Sequence, residues 1–440
     1  MVNLLLFKAI SPHPADGIII AVLRFQTKSK GGQIMNSGDT VFVLLSAALV
    51  MLMTPGLALF YGGMVRGKNV LATIMQSFII LGVITIEWVL WGYSMAFGPD
   101  IGGIVGGLDW FGLKGVGMEP SSDYGSTIPH FAFMIFQCMF AVITPALITG
   151  AVAERMKFSA FLLFTLLWAT FVYNPLAHWV WGKGGWIGGM GALDFAGGTV
   201  VHISSGISAL AAALLIGRRL GYGTTPYIPH NLPMTITGAA LLWFGWFGFN
   251  AGSALASNGL AASAFVVTHI ASASGALSWT FIEWIHRGKS TTLGAASGAV
   301  AGLVAITPAS GFVGPVSAIL IGALGGIICY GGVLFKSRMG YDDSLDVVGI
   351  HGLGGTWGAL ATGLFASKSV NPDGANGLFF GNPGLLWTQL VSIIATMVFA
   401  FVMSVIILKV VDWVVGLRVT DEEEQRGLDV SLHNEAGYTF

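Results

Sequence analysis

Leu193-Asp194-Phe195-Ala196-Gly197-Gly198-Thr199-Val200-Val201-His202-Ile203 sets an acid and, eight residues on, a histidine in apolar and glycine-rich surroundings. Leu345-Asp346-Val347-Val348-Gly349-Ile350-His351-Gly352 opens on the same Leu-Asp pair and again carries a histidine further in. Both lie in apolar runs long enough for a bilayer, which takes about 20 residues of helix. Lipid offers no partner for free backbone groups, so such runs are helices.

Working outward, eleven runs are read: 39–62, 69–97, 129–151, 158–180, 195–217, 232–251, 260–284, 292–308, 313–335, 345–366 and 385–415. The two quoted stretches open the fifth and tenth. Their matching places suggest two five-helix halves, about 39–217 and 232–366, plus an eleventh helix at 385–415. Five is odd, so the halves cross in opposite senses, a plan many transporters use. The fold class expected is an all-α polytopic membrane protein, its transporter domain at 35–415 and a tail at 416–440.

Composition agrees. Of the 440 residues only 9% are charged and 54% are hydrophobic, against about 25% charged in soluble domains. The 63 glycines suit closely packed membrane helices. A formal net charge of -1 leaves no basic footprint for nucleic acid. The two cysteines, Cys138 and Cys329, sit in apolar runs and make neither a disulfide framework nor a zinc site.

Lysine and arginine orient the chain. Arg66/Lys68, Arg155/Lys157, Arg218/Arg219, Arg287/Lys289, Lys336/Arg338, Arg418 and Arg426 fall on one side, and only Lys114, Lys183 and Lys368 on the other. The positive-inside rule then puts the first helix's start outside and the C-terminus in the cytoplasm. Lys8, Arg24, Lys28 and Lys30 would break that rule, and the short apolar run Gly17–Leu23 makes a poor signal peptide. Residues 1–34 are therefore read as an extension upstream of Met35 that does not belong to the fold.

Ionisable side chains inside a bilayer are costly and tend to line substrate paths, so His202 and His351 are the leading functional candidates. The plain alternative is two unrelated histidines bonded to neighbouring helices, and their matched placement argues against it. His269 lacks such a match and is read as packing. His130, His178, His230 and His286 fall near span ends. No third ligand stands beside the pair, so neither a metal nor a haem site is expected. Asp194 reads as a helix N-cap, and Asp346 as its counterpart from the inner side. Glu87, deep in the second run, has no assigned role.

Phe136–Ala141, Ala177–Trp181 and Trp243–Ser253 are aromatic-polar clusters, fit either for an interfacial belt or for a cation-π cup with a hydroxyl acceptor. Gly294/Gly298/Gly302, Gly322/Gly326 and Gly354/Gly358 read as close helix packing. No phosphate-loop motif occurs, and no nucleophile–base pair or metal cluster suggests an enzyme.

Ala192–His202, Trp243–Ser253 (WFGWFGFNAGS), Thr149–Arg155 (TGAVAER) and Gly416–Val419 (GLRV) resemble the signatures of the ammonium transporter (Amt/Mep/Rh) family, prokaryotic Amt branch, from about residue 39 to the end. The resemblance implies an eleven-helix trimer in the plasma membrane with one pore per subunit and no cofactor. It implies an outer ammonium recruitment site of Trp181, Ser253 and Phe140, closed by the stacked rings of Phe140 and Phe249. Phe136, Trp246 and Thr307 would line the path, His202 and His351 would be the paired pore histidines, and Asp194 would hold the recruitment region in shape. Ammonium and potassium are of similar size, but only ammonium can leave a proton behind and cross an apolar pore as ammonia. Whether the proton follows is left open. The acidic tail, Asp421–Asp429, resembles the family's cytoplasmic tail and implies a PII signalling protein as partner. An ammonium sensor and a channel for another neutral gas such as carbon dioxide are the competing readings.

Overall fold

Asparagine and threonine side chains start several of the helices. Asn36 accepts from the Gly38 and Asp39 N–H groups, Asn231 from Met234, Asn258 from Ala261 and Thr291 from Gly294, satisfying donors a helix cannot pair internally. Gly288 ends the helix that Asn258 starts, and Gly340 ends another, both in the left-handed region, where only glycine is free of strain.

The computed structural model describes residues 35–438, and the proposed extension at 1–34 lies outside them. Helices α1 to α5 are Ser37–Met64, Gly67–Phe97, His130–Val152, Phe158–Gly189 and Gly198–Ile216. Then come α6 Leu232–Gly252, α7 Gly259–Arg287, α8 Thr292–Ile306 and α9 Pro315–Met339. Val348–Leu353 runs on as Gly354–Phe365 to form α10, and α11 is Pro383–Val415. Two short helices, α12 Asp421–Arg426 and α13 Leu428–His433, fold the tail. Small hairpins occupy the α2–α3 connection, pairing Asp100–Ile101 with Val105–Gly106 and Pro120–Ser121 with Gly125–Pro129.

Among the described residues nine helices are long and apolar enough to cross a membrane; α8 is shorter and α10, diluted by glycine and His351, is not one of the nine. Helices occupy the places of the runs read from the sequence, and the protein is a multi-pass membrane protein. Ile285, Trp387 and Val41 are largely exposed on the outside of the bundle, as lipid-facing side chains are.

Glycine sets how closely the helices approach. A side chain at Gly238, Gly245, Gly248 or Gly252 of α6 would run into α1, and one at Gly302 or Gly322 into the Ala271 carbonyl of α7. The most consequential crossing is that of α5 and α10. A Cβ on Gly206 would collide with the Gly352 backbone, and one on Gly355 would crowd the His202 Cβ at 2.8 Å. The two histidine-bearing helices therefore meet backbone to backbone.

The tail is docked on the bundle. The Leu428 N–H donates to Asn69 Oδ1 and the Ala72 N–H to Asp429 Oδ1, both at 2.8 Å. Buried Glu424 accepts from the Leu220 N–H and from Arg418, both at 2.7 Å.

Candidate functional site

A cavity of about 570 Å³ opens at one end of the bundle, its walls including Tyr124, Gln137, Phe140, Trp181, Ser253 and Asp123. Trp181 is held by its indole N–H, which donates to the Asp194 carbonyl at 2.9 Å. Ser253 Oγ donates to the Phe249 carbonyl at 2.9 Å, keeping its lone pairs for a further donor. The Phe140 ring meets Trp181 edge-on at 6.0 Å between centroids and stacks on Phe249 at 4.1 Å. Phe140 belongs to the cavity wall and Phe249 to the lumen beyond, and Phe136 packs edge-on against Phe140 at 5.0 Å.

Beyond the stack lies a narrow lumen lined by Val201, Leu242, Trp246, Ile350 and similar apolar side chains, with His202, His351, Tyr61 and Ser297 as its polar members. It has room for the centre of a water-sized sphere over only about 20 Å³, close to the space one water needs. His202 and His351 face each other with their Nδ1 atoms 3.2 Å apart. Only one of two facing nitrogens can donate, so the pair holds one Nδ1–H and one bare Nδ1. His202 Nε2 has no protein partner. Trp246 stacks over His202 at 5.5 Å and is fixed by donating to Thr307 Oγ1 at 2.9 Å.

Trp181, Ser253 and Phe140 thus line the cavity, and His202, His351, Trp246 and Phe249 line the lumen. Phe136 and Thr307, expected to line the path, belong to neither wall: Phe136 packs on Phe140 and Thr307 fastens Trp246. One capping assignment also changes. Both histidines sit in wide, π-type turns, Gly198–Ile203 and Val348–Leu353, a distortion common at functional sites. Asp194 caps the first as expected, accepting from the Gly197 and Gly198 N–H groups at 2.7 Å, from Thr199 N–H at 2.8 Å and from the Thr199 hydroxyl. Asp346 does not cap the second. Its backbone is left-handed, φ 64°, and its carboxylate pairs with Lys336. The cap is Asp343, whose Oδ2 accepts from the Val348 N–H at 2.8 Å. The matching pairs are therefore Asp194 with His202 and Asp343 with His351, both eight residues apart. Gly197 and Asp346, each three residues after its cap, share the left-handed turn. The constant Asp-to-His spacing was the signal; the repeated Leu-Asp pair drew attention three residues away from it.

Glu87 also finds a setting. It is buried at the head of another wide turn, Trp88–Gly92, and its Oε1 accepts from Asn174 at 2.8 Å and from Thr170 at 3.2 Å. No group of three or more metal-ligating side chains occurs among the described residues.

The sequence model of the Ammonium Transporter Family matches residues 41–438. The chain belongs to that family. It is 58% identical to an ammonium transporter of Bacillus subtilis over 405 residues, covering 92% of this chain and 99% of the relative. It is 51% identical to the ammonium transporter Amt1 of Archaeoglobus fulgidus, covering 92% and all of that chain. Among solved structures it is similar to Mep2 of Saccharomyces cerevisiae, with a TM-score of 0.83, 35% identity and 88% of each chain covered. A sensor Amt protein also matches, with a TM-score of 0.83 at 30% identity over 90% of this chain and 98% of that one.

Proposed function

We propose that this ammonium transporter takes NH4+ at the aromatic cavity, strips one proton from it and passes NH3 through the histidine-lined lumen across the plasma membrane. Trp181 and Phe140 present ring faces and edges to a cation, and Ser253 Oγ offers it an acceptor. Asp194 keeps this region in shape by holding the start of α5 and, through its carbonyl, the Trp181 indole.

Past the Phe140/Phe249 stack the walls are apolar, and an ion stripped of its water there would pay heavily. Potassium has no way around that cost. Ammonium does, by releasing a proton, and neutral ammonia then meets a lumen that supplies both a donor and an acceptor. The facing Nδ1 atoms share one hydrogen, so the two Nε2 positions differ: one histidine presents N–H and the other a lone pair. Ammonia, with three N–H groups and one lone pair, can bond to both in turn. The observation that carries this reading is the 3.2 Å Nδ1 contact directly beneath stacked rings in an otherwise apolar passage.

The reading includes the N-out, C-in orientation of the Lys/Arg count, inverted halves made of α1–α5 and α6–α10, and a homotrimer with one pore per subunit. It also includes a PII-type signalling protein docking on the cytoplasmic face, where the tail lies. Native mass spectrometry of the solubilised protein tests the trimer; failure of PII to co-purify under nitrogen-replete, low-ATP conditions counts against the partner.

An ammonium jump on proteoliposomes attached to a solid-supported membrane tests the core. Flux of [15N]ammonia is expected, with a transient ammonium current if the released proton crosses too and no current if it stays outside; potassium should give none, and His202→Ala should abolish ammonium selectivity or the flux. Equal potassium current in the unmodified protein would refute the mechanism. The sensor-type structural relative favours a second reading in which little nitrogen is conducted, and folded protein giving neither current nor [15N]ammonia flux would establish that one instead.

A further inference from the structure

One ion pair at the mouth of the recruitment cavity takes no part in holding helices together. Lys183 Nζ lies 2.6 Å from Asp123 Oδ1, and Asp123 is part of the cavity wall that also holds Trp181, Ser253 and Phe140. Lys183 is two residues past Trp181. Its own N–H is pinned by the Tyr124 hydroxyl at 2.9 Å, which fixes the lysine stem beside the acid. Helix α4 is broken between Trp181 and Trp186, and that break leaves little choice about where a side chain can be carried. At Gly182 and Gly185 a Cβ would strike the Ala96 and Trp179 carbonyls at 2.7 Å, and Gly184 is left-handed at φ 93°. Of the four residues Gly182–Gly185, position 183 alone accommodates one.

A lysine head group is an alkylammonium: one positive charge and three N–H donors on a small nitrogen. It differs from NH4+ by the carbon that tethers it. A carboxylate on the wall of an ammonium-recruiting cavity that already holds an ammonium group is suited to hold the free ion. The segments joining the helices at this end carry Asp100, Asp109, Glu119, Asp123 and Asp373 against Lys114, Lys183 and Lys368, an excess of negative charge that draws cations in.

We propose that Asp123 is an outer holding residue for NH4+, and that Lys183 is a tethered stand-in for the substrate which incoming ammonium displaces. This rests on the transport reading for the identity of the ligand but not for its test. With 69% of the Lys183 side chain and 35% of the Asp123 side chain exposed, the pair is readily opened. Exposed pairs of this kind hold with a strength that corresponds to about a two- to fivefold change in competing affinity. Lys183 therefore acts as a built-in weak competitor that raises the ammonium concentration needed to fill the mouth.

The test is a titration of the purified, full-length protein with ammonium chloride, read by tryptophan fluorescence against choline chloride at equal ionic strength. Lys183→Gln should lower the half-saturating concentration by about two- to fivefold, and Asp123→Asn should raise it. Lys183→Gln should change it much less when Asp123→Asn is already present. A gain from Lys183→Gln that is as large or larger in that background would mean simple repulsion at the mouth and overturn the proposal, as would no change in either single variant. Neither variant touches the buried helix contacts, and unchanged melting temperatures confirm folding. Because the readout is binding, a protein that binds as expected but gives neither current nor [15N]ammonia flux refutes transport and leaves the Asp123 assignment standing.

Discussion

Asp194 and Asp343 stand at the same distance from their histidines, and each caps a wide turn after a left-handed residue, yet the two carboxylates live in different company. Asp194 is fully used: both oxygens take backbone N–H donors and one also takes the Thr199 hydroxyl. Asp343 bonds to Val348 N–H through Oδ2, while its Oδ1 has no partner. Lys336 stands beside it, donating to the Asp343 carbonyl and pairing with Asp346. The same local frame thus serves as a saturated anchor beside the aromatic cavity and as a half-used cap at the other end of the lumen. Helix position fixes where each histidine points; how firmly it points there depends on how completely the acid is satisfied.

The largest expected effect follows from this contrast. Asp194→Asn turns one acceptor oxygen into a donor facing N–H groups that already donate, and stranded buried donors cost about 1–3 kcal/mol each. Ammonium current normalised to folded protein should fall by about 100-fold, two such losses together. Asp343→Asn can put its amide nitrogen where Oδ1 has no partner, and should retain current within about fivefold. Equal damage from both substitutions would break the comparison.

Next comes the crossing the two frames share. Gly206→Ala pushes a methyl group into the Gly352 backbone, which cannot swing aside as a flexible side chain would. Overpacking of this kind costs about 1–3 kcal/mol, and here the strain falls on the His202–His351 spacing. Lower melting temperature and reduced current are expected together. Gly331→Ala, where a Cβ meets nothing, is the control that should be silent in both.

Much of this was legible in the sequence for a clear physical reason. Lipid forbids unpaired backbone, so apolar length alone locates the helices, and intramembrane histidines stand out because they are expensive. Asp194 was legible as an N-cap, whereas the roles of Trp181, Phe140 and Phe249 came from the family resemblance; Trp181 and Phe140 line the cavity, Phe249 stacks on Phe140 and the Asp194 carbonyl holds Trp181. The Asp343 cap was misread as Asp346 because a repeated dipeptide is easy to see, whereas the capping register depends on a left-handed turn that any residue type can hide. The wide turns at His202 and His351 leave no trace in apolar periodicity, since residues 198–203 and 348–352 are buried on all sides. Glu87 could not be placed because its partners, Asn174 and Thr170, are more than eighty residues away.

At the end of the bundle that carries Arg66, Arg155 and Arg219, charge rather than packing joins distant segments. Glu154 accepts from Arg66, Asn69 and Arg219, and Arg219 is bidentate to Asp342. Burial works against both carboxylates, but the hydrogen bonds and charges of Arg66 and Arg219 outweigh it and hold Glu154 and Asp342 below their usual values. Depressed carboxyl pKa values add stability above the unfolded values, about 4, and that stability is lost as pH falls through the folded ones. The melting temperature should therefore drop below about pH 4, and the slope should be shallower in Glu154→Gln. An identical slope in the variant would mean that the acid sensitivity arises elsewhere.

The smallest effect expected is at Thr307, and it separates a lining residue from a fastening one. Its hydroxyl accepts the Trp246 N–H at 2.9 Å and donates to the Leu303 carbonyl at 2.7 Å, so both its hydrogen-bonding roles are spent on the protein. It does not belong to the lumen walls, whereas Trp246 and His202 do. Thr307→Val keeps the shape and strands one buried indole donor, a loss of about 1 kcal/mol at the low end of such costs. Trp246 should then shift over His202, with current reduced by no more than about fivefold and ammonium half-saturation unchanged. Thr307→Ser restores the acceptor and should recover the current. If serine fails to rescue, or if half-saturation moves, Thr307 touches the substrate directly and its part is more than fixing the indole.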